Sequence, residues 1–139
     1  MGAWGPGHFD NDAARDWLYD FGENDFRLID RTLAGVAAMV EADYLDADEA
    51  SEVLAAAECV AAAAGFPMDD PPEELAEWLA DNSPIQVKPA YIEMARKAVT
   101  RVLTQSELRD LWLGSEEFGE WETAVLDLQA RLNQANPEE

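Results

Sequence analysis

His8, Asp10, Asp12 and Asp16 set one imidazole and three carboxylates within nine positions of the chain. Oxygen-rich sets of this kind suit Ca²⁺ or Mg²⁺, so a divalent cation is the one cofactor this segment would accept. Asp12 and Asp16 stand four apart and would share one face of a helix. A structural explanation competes. Asp10 or Asn11 is wanted as a helix N-cap, and an acid in the first turn suits the helix dipole. The nearby Gly2, Gly5 and Gly7 suggest a phosphate cradle, but no strand precedes them and no Lys follows. Nucleophilic catalysis lacks its parts, because the chain has a single His and a single Cys, Cys59. Cys59 lies in an Ala-rich apolar run, where a small buried hydrophobe is the default. Paired carboxylates mean little in a chain with 30 acidic residues, so no catalytic set is read and no enzyme is expected.

Those 30 acids face 9 basic residues in a chain of 139, for a net charge of -21. Phosphate binding needs Lys and Arg, so nucleic acid is not an expected partner. Anionic membranes are disfavoured on the same sign argument. The start Met1–Gly5 has neither a basic segment nor an apolar run, so no signal peptide is expected. With one Cys and no expected disulfide, the chain is assigned to the cytoplasm. The 48% hydrophobic content is enough for a core, so acidity does not imply disorder. Between Thr32 and Val87 there are thirteen acids and no Lys or Arg.

The apolar spacing is helical almost throughout, predicting an all-α fold: one irregular bundle of six or seven helices with a Gly-rich N-terminal loop. A first helix is expected from Asp12 to Phe21 with Gly22 as its stop, and a second from Asp25 to about Ala42. Asp46-Ala47-Asp48-Glu49 starts a third, closed by Gly65. Asp70-Pro71-Pro72-Glu73 starts a fourth, ending near Asn82. A fifth runs from Pro89 to Thr104, a short sixth from Glu107 to Leu113 behind a Ser106 cap, and a last one carries Phe118, Trp121, Val125, Leu128 and Leu132. Leu108, Leu111 and Trp112 of the sixth are expected to point inward. Residues 1–139 are read as a single domain: 1–10 a pinned loop, 83–89 a proline-containing break, 136–139 a frayed tail. In the loop, Trp4 and Phe9 act as plugs between helices, with an exposed partner anchor as the alternative for Trp4.

The opening Met1-Gly2-Ala3-Trp4-Gly5, then Gly7, Phe9-Asp10-Asn11-Asp12, Ala14 and Asp16-Trp17, resembles the signature of a small bacterial family classed as a domain of unknown function, DUF4259. Ser106-Glu107-Leu108-Arg109-Asp110-Leu111-Trp112 and a final helix with Trp121 and Leu128 also fit. The resemblance covers essentially the whole chain. It implies a compact, mostly helical cytoplasmic protein and assigns no chemistry. Trp4, Gly5, Gly7, Phe9, Asn11 and Trp17 are explained physically as a pinned loop and a helix start.

On function, the acids Asp48, Glu49 and Glu52, together with Asp70, Glu74, Glu77 and Asp81, are expected to form a one-sign face on the third and fourth helices. Like charges at this spacing cost a few tenths of a kcal/mol per pair, a cost that makes sense when a basic partner is steered to them. The leading expectation is a non-catalytic acidic protein engaging a basic protein, with immunity- or inhibitor-type proteins as the concrete class. Two alternatives stand beside it: a metal or small-ligand site at His8, Asp10, Asp12 and Asp16, and an accessory structural domain whose acidity serves solubility. The oligomeric state is not legible.

Overall fold

A computed structural model of the chain describes residues 7–40, 42–69, 71–82 and 87–135, with the side chains of 22–26 and 82 left undescribed. Six α-helices and no strand are present among the described residues: α1 (Asp12–Ala37), α2 (Ala47–Ala63), α3 (Glu73–Asn82), α4 (Pro89–Thr104), α5 (Glu107–Leu113) and α6 (Phe118–Ala135). The all-α architecture is the one the apolar spacing predicts. Trp4, Gly5, Asp70, most of the proline-containing break and the tail beyond Ala135 lie outside the described residues.

α1 is helical without interruption, yet it is not straight. The Trp17 Nε1–H donates to Thr32 Oγ1 at 2.8 Å, although the two are 15 positions apart. A straight helix would separate them by about 22 Å along its axis. The helix therefore folds back on itself between Trp17 and Thr32, giving two arms that meet through that contact. α1 runs through Gly22 and Asp25, where the first expected helix stops and the second begins, so the two expected helices form one element. The second arm ends at Ala37 rather than Ala42. Asp43 Oδ2 accepts from the Val40 N–H at 2.9 Å, and the Arg101 guanidinium donates to the carbonyls of Val40 and Asp43. Those partners replace the helical ones.

α2 is the central element, buried along nearly its whole length from Ala50 to Ala62 and packed against every other helix. Its alanines let neighbouring backbones approach closely. Asp46 caps it by accepting from the Glu49 N–H at 2.8 Å. Gly65 closes it at φ 102°, where the Gly65 and Phe66 N–H groups donate to Ala62 and Ala61 carbonyls. α5 is tied to the start of α2: the Ala47 N–H donates to Glu107 Oε1 at 2.8 Å, and the Glu107 N–H to Leu45 O at 2.9 Å.

The core draws on all six helices. α6 contributes Trp121, Val125, Leu128 and Leu132, the stripe its spacing predicts. Trp17 stacks on Phe21, with ring centroids 5.3 Å apart. Phe9 is buried in the core, as a plug should be. Leu111 departs from expectation at 44% exposure, while Leu108 is buried and Trp112 packs half-buried against the core. No described helix is long and apolar enough to cross a membrane.

Candidate functional site

The start of α1 is built by its caps. The Ala14 N–H donates to Asn11 Oδ1 at 2.8 Å, which makes Asn11 the N-cap. Asp10 instead accepts from the Gly7 N–H at 3.2 Å and closes a tight turn. A Cβ on Gly7 would sit 2.6 Å from Asp10 Oδ2, so any larger residue there would displace the Asp10 carboxylate from this turn. The turn delivers His8 and Phe9 inward.

The four residues expected to bind a cation do not form a ligand set, although His8, Asp12 and Asp16 line one cavity. Asp10 is spent on the turn, and the imidazole of His8 is buried with Nε2 at 3.2 Å from Ala124 O. Among the described residues no group of three or more His, Cys, Asp or Glu is arranged to hold a metal ion. Asp12 and Asp16 do share a face of the first arm of α1, and that face meets α2.

Two adjoining cavities occupy the junction of α1 and α2. The first, about 340 Å³, lies at the start of both helices. Asp12, Asp16 and Asp48 line it with His8, and Trp112 and Trp121 supply aromatic wall. The second, about 350 Å³, is lined by Asp16, Asp20, Glu49 and Glu52 together with Arg31 from the second arm. Asp16 belongs to both, so the two form one groove with α1 acids on one side and α2 acids on the other. Asp12, Asp48 and Glu49 sit in first turns, where the helix dipole favours an anion. Asp16 and Glu52 lie beyond those turns, where the dipole effect has faded.

The field in the groove is visible at Glu52. Burial pushes its carboxyl above the usual range, and Glu49, Asp48, Asp46 and Asp20 push it further. Asp20 acts across the groove from α1.

The expected single face on α2 and α3 is divided. Glu74, Glu77 and Asp81 are exposed on α3 and line neither cavity. Glu74 Oε2 also lies 3.5 Å from Arg15 Nη2, so a base does reach this acid despite the gap in the sequence. The α2 acids Asp48, Glu49 and Glu52 face the Asp12, Asp16 and Asp20 row instead.

One charged constellation is absent from the sequence reading. Glu58 is 1% exposed in the middle of α2. Arg131 of α6 donates to both its oxygens, at 2.8 and 3.0 Å, to Phe66 O, and through Nε to Asp127. His8 Nε2 lies 3.7 Å from Glu58 Oε2. Burial nonetheless dominates at His8 and lowers its pKa, the nearby Glu58 acting in the opposite direction. The available signal was a lone Glu inside an apolar run and an Arg adjoining the Leu128–Leu132 stripe. Cys59, next to Glu58, is buried and its thiol is pushed well up, chiefly by burial.

A family model described as a domain of unknown function, DUF4259, matches residues 2–124. No curated protein and no solved structure matches the chain.

Proposed function

The chain belongs to the DUF4259 family, and we propose that it is a non-catalytic binding protein that engages a basic protein through the groove between α1 and α2. The observation that carries this reading is the lining of the groove. Asp12, Asp16 and Asp20 oppose Asp48, Glu49 and Glu52, and Arg31 alone among the lining residues is a Lys or Arg. Two helix N-termini contribute roughly half a positive charge each, and even with Arg31 that is too little to balance Asp12, Asp16, Asp48, Glu49 and Glu52. Like-charge neighbours cost each helix a few tenths of a kcal/mol per pair. A cationic partner relieves that cost and is steered by the same field.

The partner surface is thus moved from the α2 and α3 face to α1 and α2. The field disfavours nucleic acid and anionic membranes. A single buried Cys suits a reducing cytoplasm. Immunity- or inhibitor-type proteins, which cover a basic toxin or enzyme, are the concrete class.

The test is a titration of the isotope-labelled chain with a lysine-rich helical peptide at low ionic strength. Amide signals of Asp16, Asp20, Asp48, Glu49 and Glu52 should move first. Shifts centred on Glu74, Glu77 and Asp81, or spread evenly over the exposed acids, would overturn the proposal.

A further inference from the structure

A third cavity, of about 510 Å³, lies between α4 and α6 and has a lining of the opposite sign. Glu93, Arg96, Lys97 and Thr100 line it from α4. They stand at i, i+3, i+4 and i+7, so one face of the helix presents all four. Gln129 and Asn133, four apart, supply the α6 side. The chain has 30 acids to 9 bases, yet the described lining of this cavity carries two bases and one acid.

The fold does not consume those bases. Arg96 Nη1 lies 3.3 Å from Glu93 Oε1, an i,i+3 pair that engages one nitrogen of a guanidinium with five N–H donors. Exposed pairs of this kind hold weakly. Lys97 is exposed and pairs with no carboxylate among the described residues. Gln129 Nε2 donates to Thr100 Oγ1 at 2.8 Å, tying the two walls together. The Thr100 hydroxyl keeps its own proton to donate, and the Gln129 carbonyl oxygen stays an acceptor. Asn133 adds a second amide, able to donate and to accept.

This lining selects by chemistry. A cation would meet Arg96 and Lys97. A nucleobase or an aliphatic molecule would find Ala37 as the one apolar side chain of the described lining. A small anion gains two charged donors, and hydroxyl groups on it gain the amides and the Glu93 carboxylate. The chain's remaining carboxylates are screened beyond about 8 Å at physiological ionic strength, so the two bases set the local sign.

We propose that the α4/α6 cavity binds a small hydroxylated organic anion, a sugar acid or a sugar phosphate, with its carboxylate or phosphate on Arg96 and Lys97 and its hydroxyls on Thr100, Gln129 and Asn133. The inference is independent of the basic-partner reading, because none of these residues lines the α1/α2 groove.

The experiment titrates the isotope-labelled full chain with gluconate, glucose 6-phosphate, glucose and inorganic phosphate at one ionic strength. Gluconate, glucose 6-phosphate or both should move the amide signals of Arg96, Lys97, Thr100, Gln129 and Asn133 to saturation, and the active one identifies the anionic group. Glucose should leave those signals in place, and inorganic phosphate should bind more weakly than the organic anion. Lys97→Gln should weaken binding of the active probe about tenfold, the scale of one charge-assisted hydrogen bond. Lys97 is exposed, so this variant should fold, and thermal unfolding checks that it does. Lys88→Gln removes the same charge outside the cavity and should change the affinity little. The absence of a saturable shift with either organic anion, binding of glucose or inorganic phosphate as tight as theirs, or equal losses in the two lysine variants would overturn the inference.

Discussion

Arg131 of α6 grips both carboxylate oxygens of Glu58 on α2, at 2.8 and 3.0 Å, across 73 positions of sequence. The pair joins the central helix to the last one in a setting where Glu58 has no water to turn to. Arg131→Met should therefore cost about 3–5 kcal/mol, the usual penalty for stranding a buried charge. Urea unfolding measures it. Glu58→Leu combined with Arg131→Met should recover most of the loss, because neither charge is then left alone.

His8 gives stability a defined pH dependence. Its folded-state pKa is lowered by burial. Below about pH 6.5 the unfolded chain takes up a proton that the folded chain accepts only at lower pH. The contribution is complete above that value and is lost as pH falls, with a limiting slope of about 1.4 kcal/mol per pH unit for one proton. Unfolding free energies measured across this range should show the slope in the parent chain and lack it in His8→Asn.

Glu52 works in the opposite sense. Its carboxyl is raised by burial and by Glu49, Asp48, Asp46 and Asp20, so the charged form is disfavoured in the fold. Glu52→Gln should stabilise the protein at pH 7 by about 0.5–1 kcal/mol, from two relieved neighbours on its own helix at i-3 and i-4. The gain should fade as pH falls through the folded-state pKa and be gone below about 4.3, where the parent carboxyl is protonated in both states. The same variant should bind a lysine-rich peptide less tightly.

Thr32→Val tests the fold-back of α1. It keeps the shape of the side chain and removes the acceptor of the Trp17 indole N–H. A loss of about 1–3 kcal/mol is expected, because a part-buried donor is left without its partner. A neutral result in thermal unfolding would contradict the role given to that contact.

Much of this fold is legible in the sequence because helical spacing and caps are local. Asp46, Ser106 and Gly65 mark ends where they stand, and the Trp121–Leu132 stripe reads directly as a buried face. Asn11 rather than Asp10 as the cap turns on a competing bond to the Gly7 N–H, which spacing does not reveal. The site was harder to read, since it depends on which helices pack together. Asp48, Glu49 and Glu52 look like neighbours of the α3 acids in sequence, but the fold sets them against Asp12, Asp16 and Asp20. Arg15 meets Glu74 across 59 positions, so a stretch without bases is not a surface without bases. Glu58 read as an interruption in an apolar run because its partner lies on another helix.

The central claim, that the α1/α2 groove and not net charge engages a basic partner, is tested most directly by two variants of equal charge. One carries Asp16→Asn, Asp48→Asn, Glu49→Gln and Glu52→Gln. The other carries Asp30→Asn, Glu116→Gln, Glu117→Gln and Glu120→Gln, at exposed positions that line neither cavity. Calorimetric affinity for one lysine-rich peptide, at the same ionic strength, should fall at least tenfold in the first variant and change little in the second. Equal losses in both would contradict the account.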